Sequence, residues 1–455
     1  MTLRTTVTTA RVALVGLAAA AMAATALTVP AQAAPDPGPD PTTGAAQDTS
    51  AGATQDTTTG AAQDTSAGAT ADRASGRAGH RATRRAMDAE VEAGIPGITA
   101  QARDARGVWK AASGVGDLTT GAPRGTDDRF RIGSITKTFV ATVLLQMETE
   151  GRLRLDDTVE HHLPGLVKGN GNDGSKITVR RLLNHTSGLF DYLADEEYLT
   201  TYMLGDGYLA HRYDTLPPAQ HVKVALSHPP LFSPGARFSY SNTNYVLAAL
   251  IIEKAGGRTY EAEVRDRIIR PLGLKATTNP GNSIRIPRPS SRAYSKLFEQ
   301  DPGRIDDVTE MNGSQGWGDG DIISTTGDLN RFYRALMRGE LLPPRQLAAM
   351  KTTVEIPERP GTAYGLGITR MRTSCGTTLW GHGGGMVGST SLAVTTEDGG
   401  HQLAYNRNGD WSTTVAPDAV MEAEYCPATP AAPAAATPDD PAADDPAADD
   451  PAVSP

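Results

Sequence analysis

The chain has 455 residues, 39% of them hydrophobic and 21% charged, and it carries a formal net charge of −9. Six of its acidic residues lie between Asp439 and Asp450, and the remainder of the chain is nearly balanced in charge. This balance gives no electrostatic support for nucleic-acid binding, which needs a basic surface.

The first 33 residues have the layout of a secretory signal peptide. A basic start with Arg4 and Arg11 precedes an apolar run over residues 12–27, and the small-residue triplet 31–33 closes it. This layout predicts cleavage after Ala33 and a secreted, extracellular product. A membrane anchor is the alternative, but the run is short and rich in alanine. Because the cleavage site also lacks a cysteine for lipid attachment, we expect no stable membrane anchor.

Low-complexity segments flank the part of the chain that is predicted to fold. Residues 34–84 are rich in Ala, Thr, Gly and Asp, and the stretch 42–53 recurs at 58–69. Residues 427–455 repeat Pro, Ala and Asp. Such segments bury too little apolar surface to offset the entropy of ordering, so we predict a disordered spacer and a disordered tail. The folded domain is predicted over residues 85–426, which is long enough for a large core.

Apolar periodicity within this domain predicts an α+β fold. A helix over residues 82–93 precedes two strands, and a second helix begins at Ser134 and ends at Gly151. A largely helical middle runs to about residue 340 before strands return. Strands at both ends predict an antiparallel sheet flanked by helices, together with a mostly helical lobe. The predicted strands cover residues 97–103, 108–113, 363–370, 378–381, 389–396 and 401–406, and a closing helix covers 416–425.

The chain has only two cysteines, Cys375 and Cys426. In a protein predicted to be exported they meet an oxidising compartment, so we expect one disulfide. This bond would tie the end of the fold to the strand region before His382. Two thiols without a local cluster of histidines and cysteines are poor evidence for zinc.

The first candidate catalytic element is the pair Ser134 and Lys137, which lie three residues apart at the start of a helix. This spacing puts both side chains on one face, and a helix start adds positive potential and unpaired N–H groups. A serine hydroxyl is a weak nucleophile at neutral pH, and a partly deprotonated amine beside it can activate it. The pattern alone is weak, because many helices begin with serine and carry a surface lysine.

The second element is the pair Tyr240 and Asn242, which alternate on a loop leading into a helix over residues 245–255. A phenol near an ammonium group can relay a proton, and an amide can position a substrate. An aromatic core residue followed by an N-terminal helix cap is the structural alternative.

The third element begins at His382, at the head of a predicted strand, and continues as Gly383, Gly384 and Gly385. A strand without side chains allows its backbone to approach a ligand closely. A plain glycine-rich turn is the alternative.

Taken together and in this order, the three elements resemble the S-x-x-K, Y-x-N and H-x-G motifs of the serine β-lactamase and penicillin-binding protein superfamily, class C β-lactamase-like hydrolases included. The segments 151–157, 182–189 and 323–329 also resemble this family, so the resemblance covers nearly all of residues 85–426. The sequences around Cys375 and Cys426 are similar to those of secreted D-alanyl-D-alanine carboxypeptidases.

The resemblance implies a two-lobed β-lactamase/transpeptidase-like fold and acyl transfer through an acyl-enzyme. Ser134 would be the nucleophile, and Lys137 and Tyr240 would manage its proton. The backbone N–H groups of Ser134 and Gly385 would hold the oxyanion. Asn242 and His382, with the glycines after it, would position the substrate. No metal or organic cofactor is implied, and we expect a monomer.

The implied substrate is a small molecule or peptide with an acyl-D-amino acid, ester or lactam group, with D-alanyl-D-alanine carboxypeptidase activity on cell-wall peptides as the leading prediction. One departure bears on this prediction. The carboxypeptidases usually place a hydroxyl residue between the histidine and the next glycine, where it helps to hold the substrate carboxylate, and this chain has Gly383 there. Esterases, D-aminopeptidases and β-lactamases on the same scaffold, or a penicillin-binding protein without turnover, are the alternatives. A lipase of the α/β-hydrolase type is excluded, because the chain contains no G-x-S-x-G.

Other polar residues receive a structural interpretation. His161 and His162, like His211 and His221, lack ligand partners at metal spacing and are predicted to lie on the surface or in loops. His185 is predicted to be a structural hydrogen-bonding residue. Arg370 or Arg372, on the strand before the first cysteine, could bind a substrate carboxylate, and a solvated arginine at a strand edge is the alternative.

Overall fold

A computed structural model describes residues 80–298, 301 and 303–426. The predicted signal peptide, nearly all of the predicted spacer and the predicted tail lie outside the described residues. Within the described part, no helix is long and apolar enough to cross a bilayer.

The longest helices carry the largest runs of buried residues. The central helix α2 is buried along nearly its whole length, and α8 is buried except near its C-terminal end, where Gly257 takes a left-handed φ of 70° and ends it. The helices are α1 (Arg81–Glu92), α2 (Thr136–Thr149), α3 (Val159–His162), α4 (Val179–Leu183), α5 (Glu196–Tyr202), α6 (Gly205–His211), α7 (Pro218–Leu226), α8 (Thr243–Gly256), α9 (Tyr260–Val264), α10 (Thr326–Met337), α11 (Pro344–Met350) and α12 (Ala419–Tyr425).

Eight strands form one antiparallel sheet in the order β2-β1-β14-β13-β12-β11-β10-β9, and the remaining strands form three small pairs. The first two strands therefore join the sheet beside the last one, as the sequence predicted. The strands are β1 (Gly97–Asp104), β2 (Gly107–Gly114), β3 (Phe130–Arg131), β4 (Lys168–Gly169), β5 (Asn172–Asp173), β6 (Tyr294–Ser295), β7 (Asp306–Asp307), β8 (Ile323–Ser324), β9 (Val354–Glu355), β10 (Ala363–Tyr364), β11 (Thr369–Arg372), β12 (Thr378–Met386), β13 (Ser389–Thr396) and β14 (Gln402–Arg407).

The sheet is covered on both faces. Along β1, Ile98, Ala100 and Ala102 pack against the terminal helices α1 and α12. The alternate residue Gln101 faces the other side, where its carbonyl accepts a hydrogen bond from Asn330 of α10. This period of two is what a strand buried between two helical layers requires. The large core of the helical lobe continues from α10 into α2 and α8.

The fold begins earlier than residue 85. His80 is buried, and its Nδ1 lies 2.9 Å from a carboxylate oxygen of Glu424 in α12, which also accepts a hydrogen bond from Thr83. Because Glu424 is buried, these contacts fasten the first helix to the last one. Residues 80–84, which composition assigned to the spacer, therefore belong to the folded domain.

Two of the predicted strand boundaries differ from the structure. The predicted strand 363–370 is a hairpin of two short strands, β10 and β11, because Gly367 turns the chain with a φ of 71°. The predicted strand 378–381 continues to Met386, so His382 lies in the middle of β12 rather than at its head. The glycine-rich run is thus a strand and not a turn.

Candidate active site

Ser134 is partly exposed to solvent in an otherwise buried segment. It lies in a short 3-10 turn, Gly133–Ile135, directly before α2, and every other residue from Phe130 to Leu145 is buried. The turn depends on Gly133, whose φ is +54°, a conformation that side chains other than glycine rarely adopt. The segment therefore presents one hydroxyl to solvent from the start of the central helix.

Lys137 is fully buried behind this hydroxyl. Its Nζ donates to Ser134 Oγ at 3.0 Å, to Asn242 Oδ1 at 2.7 Å and to the backbone carbonyl of Asp319 at 2.9 Å. Burial lowers the pKa of Lys137 to about 8, although the carboxylates of Asp319 and Asp191 act in the opposite direction. A lysine with this pKa is partly deprotonated near neutral pH and can accept a proton.

Asn242 connects Lys137 to a carboxylate that sequence analysis did not single out. Its Oδ1 accepts from the lysine, and its Nδ2 donates to Asp191 Oδ2 at 3.0 Å. Asp191 also accepts from the backbone N–H groups of Asn242 and Leu193, and burial raises its pKa. The amide is therefore held in one orientation, with its oxygen toward the amine.

Asp319 is the second carboxylate that the sequence analysis missed. Its side chain accepts a hydrogen bond from the phenol of Tyr192 at 2.6 Å, and burial raises its pKa to about 6. Two acidic groups thus flank one buried lysine. Asp191 follows the segment 182–189, so a search for carboxylates near that segment would have found it, whereas Asp319 is close to Lys137 only through the tertiary fold.

Tyr240 lies close to the same hydroxyl. The Ser134 side chain hydrogen-bonds its phenol, and Lys137 Nζ lies 5.0 Å from the centre of its ring. Burial raises the pKa of Tyr240 well above its ordinary value. The phenol therefore stays protonated in the resting site, and Lys137 is the more readily deprotonated of the two.

His185 supports the loop that carries Tyr240, in agreement with its predicted structural role. Its ring lies 4.1 Å from the Tyr240 ring between centroids, and its Nδ1 accepts from the backbone N–H of Ser241 at 3.2 Å. The side-chain amide of Asn244 donates to the same nitrogen at 3.1 Å. Burial lowers the pKa of His185 well below its ordinary value, so the ring is neutral, with its proton on Nε2.

The glycines of β12 allow this strand to lie directly against the Ser134 turn. A Cβ on Gly384 would lie 1.9 Å from the backbone oxygen of Ile132, and a Cβ on Gly133 would lie 2.7 Å from the nitrogen of Gly385. Side chains at either position would push the two segments apart. The close contact brings the Gly385 backbone beside the turn that carries Ser134, and a Cβ on Gly385 would meet no atom within 4 Å.

His382 is held by two hydrogen bonds. Its Nδ1 donates to the carbonyl of Gly383 at 2.5 Å, so its Nε2 accepts from the phenol of Tyr364 at 2.8 Å. Burial lowers the pKa of His382 to about 3, and the positive charge of Lys137 acts in the same direction. The imidazole is therefore neutral, and it cannot hold a substrate anion as a cation would.

Arg370 lies on β11, and its guanidinium donates to Glu355 at 2.9 Å in an exposed ion pair. This contact favours the solvated arginine that the sequence left as an alternative, although β11 lies inside the sheet and not at its edge. Arg359 lies on the turn between β9 and β10 and is near the site instead. Burial lowers the pKa of Arg359, whereas negative charge on Tyr240 would raise it. Its positive charge also helps to lower the pKa of His382.

The structure corrects two histidine predictions. His221 is fully buried on α7, where its Nδ1 lies 3.2 Å from the Tyr198 hydroxyl and its Nε2 lies 3.3 Å from the Ser314 carbonyl. His162 is also buried, at 7% exposure. His221 lies on the buried face of α7, and His162 lies on the short helix α3. The residue type alone does not show which face of a helix is buried. The two cysteines form the predicted disulfide, with 5.7 Å between the Cα atoms of Cys375 and Cys426.

Residues 80–425 match the family model described as Beta-lactamase. Because this match spans most of the chain, the chain belongs to the beta-lactamase family. Its relatives are serine hydrolases, and this chain is therefore a serine hydrolase as well. The predicted β-lactamase/transpeptidase-like fold is confirmed.

Two solved structures and one curated protein illustrate the relationship. A D-stereospecific amidohydrolase from Streptomyces sp. is 52% identical with a TM-score of 0.72, over 76% of this chain and 98% of that chain. A D-amino acid amidase from Ochrobactrum anthropi SV3, solved with L-phenylalanine, is 30% identical with a TM-score of 0.65, over 76% and 97%. Penicillin-binding protein 4* of Bacillus subtilis (strain 168) is 27% identical over 326 residues, 69% of this chain and 68% of that protein.

Proposed function

We propose that this chain hydrolyses amides of D-amino acids, or short peptides that begin with one, through an acyl-enzyme on Ser134. The observation that carries the proposal is the 52% identity to a D-stereospecific amidohydrolase over 98% of that chain. This likeness moves the leading substrate away from the carboxypeptidase substrates that the sequence resemblance favoured.

The contacts of the site support a two-stage reaction. Ser134 Oγ attacks the amide carbonyl while its proton passes to Lys137 Nζ, which lies 3.0 Å away. The backbone N–H groups of Ser134 and Gly385 stabilise the oxyanion, and the close approach of β12 to the serine turn makes both available. Collapse of the tetrahedral intermediate breaks the C–N bond, and Tyr240 passes a proton to the leaving amine or ammonia. Water then attacks the ester and gives its proton to the Tyr240 phenolate, the bond between the acyl carbon and Ser134 Oγ breaks, Lys137 returns its proton to Ser134 Oγ, and the D-amino acid leaves.

The carboxylate of Asp191 supports an amine-bearing substrate. It accepts a hydrogen bond from Asn242 Nδ2 at 3.0 Å, and Asn242 in turn accepts one from Lys137, so an acidic group lies close to the reacting residues. A free α-ammonium group gains an ion pair in such surroundings, whereas an N-acyl peptide with a terminal carboxylate does not.

The test is a panel assayed side by side: D- and L-phenylalanine amide, an N-acyl D-Ala-D-Ala peptide, a short-chain ester and a chromogenic cephalosporin. We expect the highest kcat/KM for the D-amide and loss of all turnover in Ser134→Ala. Equal rates for the two enantiomers, or a clear preference for the N-acyl peptide, would contradict the proposed substrate class. Turnover that persists in Ser134→Ala would contradict the nucleophile.

D-alanyl-D-alanine carboxypeptidase activity is the second candidate, and Arg359 is the observation that favours it. Its guanidinium is close enough to Tyr240 and His382 for their charges to interact, and a cation at this place could bind a substrate carboxylate. If the N-acyl peptide is the best substrate of the panel, Arg359→Ala should raise its KM and leave that of the D-amide unchanged.

We also propose that the protein is exported. The signal-like N-terminus and the disulfide between Cys375 and Cys426 support export, because disulfides persist mainly in oxidising compartments. Mass spectrometry of culture supernatant should find a mature protein that begins at Ala34.

A further inference from the structure

Three potential metal ligands lie together outside the serine site, on the helical lobe. Asp157, His161 and His162 each offer one ligand atom, and these atoms lie within 4.8 Å of one another. Among the described residues, no other group of three or more His, Cys, Asp or Glu side chains meets this condition. Adjacent histidines had no ligand partner in the sequence analysis, and the fold supplies one by turning Asp157 back toward α3.

The distances suit a tetrahedral ion. His162 Nε2 lies 3.2 Å from Asp157 Oδ2. With metal–nitrogen and metal–oxygen bonds of about 2.0–2.2 Å, the ligand atoms of a tetrahedral zinc site lie about 3.4 Å apart. A metal ion can therefore replace the proton that these two atoms share. The ligand atom of the exposed His161 lies within 4.8 Å of the other two, so it must come closer by about 1.4 Å or less to reach this spacing.

The backbone around these ligands is fixed in advance. Thr158 caps α3, and its Oγ accepts from the backbone N–H of His161 at 3.2 Å. The carbonyl of Asp157 accepts from Val179 at 3.0 Å, and its Oδ2 accepts from the backbone N–H of Arg154 at 2.7 Å. The carboxylate and the helix thus share one rigid frame, which reduces the ordering cost of metal binding.

We propose that Asp157, His161 and His162 form a binding site for a divalent transition-metal ion, with Zn²⁺ as the best match. Two imidazoles and a carboxylate are ligands that zinc accepts and that Ca²⁺ and Mg²⁺ do not prefer. Three protein ligands leave the fourth position for water. The bound ion clamps α3 to the Asp157 segment and stabilises the folded lobe, and catalysis at Ser134 does not require it.

The test uses the full chain after treatment with a chelator. Titration with ZnCl2 in a non-chelating buffer should give one site by calorimetry and raise the melting temperature. His161→Ala is the diagnostic variant, because this exposed side chain makes little contribution to packing, and it should lower the zinc affinity at least tenfold. Co²⁺ should give the visible absorption of a tetrahedral complex in the wild type and not in this variant.

The matched control is His211→Ala. His211 is likewise exposed, and its Nδ1 lies 2.7 Å from an oxygen of Asp214, but this pair lacks a third ligand. The control should bind zinc as the wild type does. Absence of zinc binding in the wild type, or affinity that survives His161→Ala, would overturn the proposal. Loss of affinity in His211→Ala would place the ion elsewhere and overturn it as well.

Discussion

At the scale of single residues, we predict that the charge on Lys137 decides when the site can react. Burial brings its pKa to about 8. The deprotonated fraction therefore rises with pH through this value, and at pH 7 roughly a tenth of the molecules hold a neutral amine. We expect kcat/KM for the short-chain ester, which carries no α-ammonium group, to rise with pH below about 8 and to level off above it. A profile that is flat from pH 6 to 9 would show that deprotonation of this amine does not control the rate.

The variant Lys137→Arg tests whether Lys137 acts as a proton acceptor or only as a fixed positive charge. Guanidinium keeps the charge but stays protonated, so it cannot accept the serine proton. We expect acylation to fall by about a hundredfold or more, the usual scale for loss of general-base help. Circular dichroism should show an intact fold. Acylation near the wild-type rate would make Tyr240 the leading candidate for the base.

We expect His185 to affect catalysis through the loop that it supports. Without its Nδ1, the Ser241 N–H and the Asn244 amide lose their buried acceptor, which costs about 1–3 kcal/mol. His185→Ala should lower the free energy of unfolding by this order and reduce kcat/KM, as measured by urea denaturation and amide hydrolysis.

The conservative variant His185→Asn provides the control. Asparagine offers an acceptor oxygen and tolerates the positive φ of 57° at this position. It should therefore recover part of the stability and activity that alanine loses. If both variants behave alike, the hydrogen bonds to Nδ1 are not what positions the loop.

At the scale of elements, the contact between β12 and the serine turn is a backbone contact, and two neighbouring glycines test it. Gly384→Ala puts a methyl group 1.9 Å from the oxygen of Ile132, so the strand must move away from the turn. We expect a loss of about 1–3 kcal/mol from overpacking and a sharp fall in acylation. Gly385→Ala meets no atom within 4 Å and should keep the wild-type melting temperature. Equal melting temperatures for the two variants would contradict this account.

The sequence predicted most elements because their signals are local. The apolar spacing of α2, the glycine after it at 151 and the strand-forming composition of β13 can all be read from neighbouring residues. The hairpin of β10 and β11 was not predicted, because a strand-like composition continues through its turn. The position of His382 within β12 was also missed, since glycines usually indicate a turn and form a strand here only because the serine turn packs against them.

At the scale of the whole molecule, the disulfide joins the last helix to the sheet. It closes a loop with a sequence separation of 51 residues. Chain-entropy arguments give such a loop about 4 kcal/mol of stabilisation. The double variant Cys375→Ser, Cys426→Ser should therefore unfold at a lower urea concentration than the oxidised protein, with the activity per folded molecule unchanged. Identical unfolding midpoints for the variant and the oxidised protein would show that the hydrogen bonds of Glu424 already hold α12 in place without the disulfide.

The sequence by itself predicted the candidate reactive groups and determined the fold family. Ser134, Lys137, Tyr240 and Asn242 were predicted because short motifs, in their order along the chain, resemble those of the β-lactamase family. Only the tertiary structure decided what surrounds them. Residues far apart in the chain supply the carbonyl of Asp319, the carboxylate of Asp191 and the charge of Arg359, and burial sets the pKa of Lys137. Burial and long-range contact arise only when the lobes pack, so no local pattern contains them.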